Sequence, residues 1–225
     1  MTVVNHYNIP EPCIFIEDSE GITISSPDPS SEDDGNNDYD FDNNNGKNEY
    51  YVDTNYASTK RGIIDGDGAR YWGIPFIGYL ELVEFRPNLL VLNRTSDVLI
   101  EYLIFRDAAL YTLLLHDVNN LELRYSSVVA RRTQDDGHTL YDLSAFNTDG
   151  IDVSGTNVYV HDVDIWNQDD CIAVKDSYLS NSSNMLFERI HASGLGLTVG
   201  SIGGTTVSNI TFRDSLLYRS YKVRL

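Results

Sequence analysis

Short runs in which apolar and polar residues alternate recur along the chain: Val98-Leu-Ile-Glu-Tyr-Leu-Ile, Leu121-Glu-Leu-Arg, Val158-Tyr-Val-His-Asp-Val-Asp-Ile, Met185-Leu-Phe-Glu-Arg-Ile and Ile210-Thr-Phe-Arg-Asp-Ser-Leu-Leu. Such alternation gives a strand one apolar face and one polar face. The first residues of these runs are separated by 23, 37, 27 and 25 positions, and several runs are introduced by Asn or Asp. A period of this size marks a solenoid, in which one coil cannot bury its apolar face alone and stacks on the next. Gly, Asn and Ser turns separate the runs, and no convincing amphipathic helix lies between them, so leucine-rich and helical repeats fit poorly. The pattern predicts an all-β, single-stranded parallel β-helix. The longest interval holds an insertion, with Arg131-Arg132-Thr133-Gln134-Asp135-Asp136-Gly137-His138 and its flanks as a lateral loop.

Two phrases carry candidate chemistry: Phe146-Asn147-Thr148-Asp149-Gly150 and Asn167-Gln168-Asp169-Asp170-Cys171-Ile172-Ala173. Adjacent aspartates repel and raise one another's proton affinity, so a pair set in an apolar frame asks for a purpose. Alone, Asp-Asp reads as a solvated turn. Here Trp166 precedes the pair and Ile172, Ala173 and Val174 follow it, so the carboxylates interrupt a strand-like segment. Residues one coil apart stack at about 4.8 Å. Asp149, 20 residues before Asp169, is therefore expected on the neighbouring coil, facing the same groove. Carboxylates placed so reach separations of about 5 to 9.5 Å, the range used by glycosidases.

Asn147-Thr148-Asp149-Gly150, Gln168-Asp169-Asp170-Cys171 and Gly194-Leu195-Gly196-Leu197-Thr198-Val199-Gly200-Ser201, with Gly62-Ile63-Ile64-Asp65-Gly66-Asp67-Gly68 and Trp72 upstream, resemble the ordered motifs of the polygalacturonase family of glycoside hydrolases. The resemblance covers about residues 60 to 225, with Ile14 to Ile24 as an earlier coil. It implies a right-handed β-helix and inverting hydrolysis of α-1,4-galacturonosyl linkages in pectin, without metal or cofactor. By the same resemblance Asp169 is the general acid, Asp149 and Asp170 activate the attacking water, and Asn147, Gln168 and Arg224 bind substrate. A monomeric, extracellular protein acting on a polysaccharide is implied too. The crowding of three carboxylates suits that chemistry, because it leaves a proton available near neutral or mildly acidic pH.

The chain departs from the family pattern in two places. Leu195 stands where the family usually has the histidine thought to tune the acid, and leucine carries neither proton nor charge. Val223-Arg224-Leu225 stops where a lysine would follow, and Lys222 replaces a glycine. Arg224 retains the fork that grips a carboxylate. A rhamnogalacturonan-type pectin hydrolase and a non-catalytic polysaccharide-binding protein therefore stay open. A calcium-dependent lyase shares the fold, but the Asn-Thr-Asp-Gly and Gln-Asp-Asp-Cys phrases speak against it.

Composition adds bounds. With 225 residues and 41% hydrophobic content the chain can bury a core, and one domain over 1–225, incomplete at both ends, is expected. The net charge of −18 argues against nucleic acid and anionic membranes as partners. It also sits awkwardly with a polyanionic substrate. Residues 1 to 60 hold 13 Asp/Glu against 2 Lys/Arg, and the stretch at about 25–58 reads as a disordered acidic insertion with no spaced EF-hand pattern. Cys13 and Cys171 belong to distant coils and are not expected to pair, Cys171 being a small buried filler. His116, His138, His161 and His191 show no metal-ligand spacing. Most of the 15 tyrosines should be packing and coil edges, with some available to stack on sugars. Lys175 and Arg189 are near enough in sequence to neutralise the aspartates or else face solvent. No cleavable signal peptide or membrane span is visible near Met1, while Asn93, Asn181 and Asn209 head glycosylation sequons.

Overall fold

The computed structural model describes residues 11–28, 61–73, 85–131, 144–177, 179–218, 220 and 222–224. In chain order the strands are β1 (Ile14–Glu17), β2 (Glu20–Ser25), β3 (Gly62–Asp65), β4 (Leu90–Asn93), β5 (Ser96–Glu101), β6 (Leu103–Arg106), β7 (Leu113–Ala130), β8 (Ile151–Asn167), β9 (Asp170–Val174), β10 (Ser182–Ser193), β11 (Gly196–Val199), β12 (Val207–Arg213), β13 (Leu216–Leu217) and β14 (Lys222–Arg224). A single turn of 3-10 helix, Gly68–Arg70, follows β3.

Every pairing between these strands is parallel, and the pairings form three ladders. One runs β1-β4-β7-β8-β9-β11-β14, the second β2-β5-β7-β8-β10-β12, and the third β3-β6-β7-β8-β10-β13. Each ladder is one face of a parallel β-helix, and parallel crossovers of this kind are right-handed. The long strands β7 and β8 take part in all three faces because they bend at left-handed residues, including Asn120 and Tyr125 in β7 and Asn157 and Asp162 in β8.

The sequence period is carried into the register. Ile22 pairs with Val98, Val98 with Leu121, Leu121 with Val158, Val158 with Met185, and Met185 with Ile210. The residue before each of the last five is Asp97, Asn120, Asn157, Asn184 or Asn209, all with φ between 53° and 59°. Asn tolerates this left-handed corner at little cost. It also links the coils: Asn209 Nδ2 donates to Asn184 Oδ1 at 2.8 Å, and Asn184 Nδ2 to Asn157 Oδ1 at 3.4 Å.

The core lies inside the coils, where the inward residue of each strand stacks on its counterpart. Leu90, Leu113, Ile151 and Ile172 form one such column, all fully buried. Phe105 and Phe187 are the largest fully buried side chains. Cys171 is a buried free thiol and Cys13 an exposed one. Of the acidic stretch expected at 25–58, Ser25 closes β2 and residues 29–58 lie outside the described residues, as do residues 132–138 of the expected lateral loop.

Candidate active site

The two aspartate phrases meet at the corner where the first face begins. Asp149 and Gly150 lead into β8, and Asp169 and Asp170 occupy the equivalent place one coil later, with Gly150 N–H donating to the Asp170 carbonyl at 2.9 Å. One carboxylate oxygen from each of Asp149, Asp169 and Asp170 lies within 4.8 Å of the other two. This bounds the nearest oxygens and not the separation between whole carboxyl groups, for which about 5 to 9.5 Å is expected from stacking. Three hard oxygens so close are also cation donors, although Ca²⁺ takes about six to eight of them.

Side-chain and backbone bonds hold the corner. Asn167, fully buried, donates through Nδ2 to the carbonyls of Thr148 and Asp170, both at 2.8 Å, and so ties one phrase to the other. Thr148 Oγ1 donates to the Ala145 carbonyl at 2.6 Å and accepts the Gln168 N–H at 3.3 Å. Asn147, in the left-handed region with φ 57°, donates its N–H to Asp169 Oδ2 at 2.9 Å, while Asp170 N–H donates to Asp169 Oδ1 at 2.8 Å. Asp169 is thus aligned by two backbone donors. Asp170 Oδ2 accepts from Thr198 Oγ1 at 3.2 Å.

The next coil approaches this corner closely. A Cβ on Gly194 would lie 2.1 Å from Asn167 Oδ1 and 2.7 Å from Cys171 Sγ, so only glycine fits there. Leu195 follows and is 7% exposed, lining the site with an apolar side chain where the resembled motif has histidine.

Burial sets the electrostatics. Asp149 is 5% exposed, and its Oδ1 has no hydrogen-bond partner among the described residues. Its proton affinity is raised well above the ordinary carboxylate value, first by burial and then by the charges of Asp152, Asp169 and Asp170. Asp152 is a fourth carboxylate, 2% exposed, pushed up to about 7 chiefly by burial against the opposing pull of Lys175. Tyr111, just before β7, is pushed up to about 12 by burial and then by Asp149, Asp152 and Asp169, so it stands beside the cluster as a protonated phenol.

Asp152 and Tyr111 were not singled out from the sequence. The signal for Asp152 was the alternation of β8 itself: Ile151 and Val153 point inward, so Asp152 must point out on the face that Asp149 opens. Tyr111 carried no pattern that distinguished it. Of the two cations considered, Lys175 lies 3.6 Å from Asp152, whereas Arg189 pairs with Asp162 at 2.8 Å and with Glu188 at 2.7 Å on another part of the coil. Gln168 is buried beside the cluster. Arg224 occupies the register position beyond Thr198 on the first face, and its side chain lies outside the described residues. Trp166 lies under the Arg131 guanidinium, 4.1 Å from the ring centre.

Comparisons with known proteins bear on the family and the fold. The model of a family described as glycosyl hydrolases family 28 matches residues 29–224. A probable rhamnogalacturonase E from Aspergillus flavus is 31% identical over 167 residues, covering 73% of this chain and 32% of the relative. A putative rhamnogalacturonase D from Aspergillus niger is 35% identical over 147 residues, covering 64% and 30%. Among solved structures, endopolygalacturonase I from Stereum purpureum complexed with two galacturonate superposes with a TM-score of 0.56 at 29% identity, covering 70% of this chain and 44% of that one. The chain therefore spans about a third of the length of these curated relatives.

Proposed function

The chain belongs to family 28 of the glycosyl hydrolases, and from that premise we propose that the protein hydrolyses the pectin backbone at α-linked galacturonate. The observation that carries this reading is the convergence of Asp149, Asp169 and Asp170 oxygens within 4.8 Å in a buried corner. Asp169 protonates the departing glycosidic oxygen. Each of its oxygens accepts a backbone N–H, which orients the carboxyl for that transfer. Asp149 and Asp170 take a proton from water as its oxygen attacks the anomeric carbon and the glycosidic bond breaks. The unpartnered Oδ1 of Asp149 offers that water an acceptor. Asn147, Gln168 and Arg224 contact the sugar chain, with Arg224 gripping a galacturonate carboxylate.

A second reading, cleavage within rhamnogalacturonan, is favoured by Leu195 and by the similarity to a rhamnogalacturonase E and a rhamnogalacturonase D. Secretion and action on cell-wall polysaccharide as a monomer are part of the same proposal.

The test measures new reducing ends and unsaturated products on polygalacturonate and on the rhamnogalacturonan backbone. New reducing ends without unsaturated products support hydrolysis, and the polymer that yields them identifies the linkage. Unsaturated products would assign a lyase instead. Retention on the polymers without any cleavage would assign a binding protein.

A further inference from the structure

The carboxylate corner has four acids and a leucine where an imidazole is expected, so its charge must be balanced from somewhere else. Lys175 is placed to do this. It follows β9 directly, is fixed by its own N–H donating to the Val153 carbonyl at 2.8 Å, and brings Nζ to 3.6 Å from Asp152 Oδ1. That distance makes an ion pair, too long for a hydrogen bond. The Asp152 side chain is 3% exposed and that of Lys175 27%, so the acid is desolvated while the ammonium keeps contact with water. Asp152 shares its outward row with Thr198, which bonds Asp170, and its nearest chain neighbour on the cluster is Asp149, three residues back.

We propose that Lys175 is the positioning charge that limits how tightly the carboxylate cluster holds its protons, by keeping Asp152 ionised and opposing proton uptake at Asp149, in place of the imidazole that Leu195 removes. This rests on the reading of the cluster as the hydrolytic site. Burial drives both Asp149 and Asp152 toward the protonated form, and Lys175 opposes it at both. Without that opposition the cluster would hold more protons than a water-activating base can tolerate. Among the described residues, the groups facing the pair are few. Asp149, Asp169 and Asp170 lie on the cluster side, with Tyr111 beside them. Arg86 acts on Tyr111 from the far side. On the Lys175 side, β7 presents His116, which burial and Lys175 itself keep toward the neutral form, with Asp117 opposing them. Lys175 is therefore the charge that faces Asp152 with the sign needed to hold its proton affinity down.

The test follows the carboxyl carbons of Asp149 and Asp152 by NMR titration, a readout that does not require turnover, alongside the pH profile of hydrolysis. Lys175→Met should raise the apparent titration points of both acids, on the order of one pH unit, the scale of a nearby cation. Lys175→Arg should restore them. Asp152→Asn should move Asp149 the other way, because the charge of Asp152 is its largest electrostatic burden. In the Asp152→Asn background, Lys175→Met should raise Asp149 at least as far as it does alone, because no proton uptake by Asp152 then offsets the lost cation. Unmoved titration points in Lys175→Met, or a smaller rise of Asp149 without Asp152 than with it, would overturn the proposal. Shifted titration points in a protein that cleaves no pectic polymer would uphold the electrostatic coupling and reject the hydrolytic reading instead.

Discussion

The backbone N–H of Leu195 donates to the carbonyl of Asp169 at 2.7 Å, which puts the leucine directly on the coil next to the carboxylate assigned as acid. The contact is made by main chain, so any residue at 195 except proline can keep it. What the side chain changes is the wall of the site, apolar here and 7% exposed. An apolar wall adds desolvation, which disfavours ionised carboxylates.

Replacing that wall tests the substrate reading. If the groove cleaves polygalacturonate, Leu195→His introduces a proton-carrying group beside the acid and should raise the rate or shift its pH optimum. The measurement is a pH-rate profile on polygalacturonate for both forms of the full-length protein. A site built for rhamnogalacturonan predicts no gain on polygalacturonate, since other contacts would differ too. Inactivity of both forms on that polymer would reject the polygalacturonase reading.

Asp169→Asn keeps the shape of the side chain and one of its two backbone anchors, since the amide nitrogen cannot accept the second N–H, and removes the transferable proton. Turnover should fall by at least about a hundredfold, the scale of a general acid. The Michaelis constant should change far less. Undiminished turnover would take Asp169 out of the mechanism.

The legible parts of the sequence were those in which local pattern and tertiary register coincide. Val98, Leu121, Val158, Met185 and Ile210 stack in one column because each follows an Asn or Asp that takes the same left-handed corner. The Asp149 and Asp169/Asp170 phrases were legible as neighbours for the same reason: once the coil length is known, stacking follows. Asp152 was hidden because its only mark is strand alternation inside β8, which does not tell a groove-facing carboxylate from a solvent-facing one. The roles of Lys175 and Arg189 could not be separated by sequence distance, since which carboxylate each meets depends on the corner it lies beside. Stacking fixes the backbones of the two phrases, and how near their carboxylate oxygens come is a side-chain matter that the sequence does not carry.

Stability should respond to pH in a window set by the raised acids. An unfolded aspartate titrates near pH 4. Asp152 is raised to about 7 in the folded chain and Asp149 is raised as well, so between about pH 4 and 7 the folded state holds more protons than the unfolded one. Their contribution is complete below about pH 4 and is lost as pH rises through the folded-state values. Asp65 and Asp162 are lowered by their arginine partners against burial, and Glu188 by the Tyr159 hydroxyl and then Arg189; these act in the opposite sense, below that window. Denaturant midpoints should therefore fall between pH 5 and 7.5, and Asp152→Asn should fall less. An identical fall in the variant would show that Asp152 does not carry this proton.

Asn167 gives the sharpest stability prediction, because its buried amide joins the two aspartate phrases. Asn167→Ala removes the bond to the Thr148 carbonyl and one of the bonds to the Asp170 carbonyl, and the latter still accepts from Gly150. The Thr148 carbonyl is left without the amide, at a cost of about 1–3 kcal/mol for a buried unpaired group. The cavity vacated beside Gly194 and Cys171 adds to it. Because the two carboxylate-bearing corners would no longer be tied, activity should fall further than stability alone explains, measured at a temperature where the variant stays folded. Asn181→Ala is the control: its residue is exposed, and a change within about 0.5 kcal/mol is expected. Equal midpoints for the two variants in chemical denaturation would mean that Asn167 is not the tie between Thr148 and Asp170.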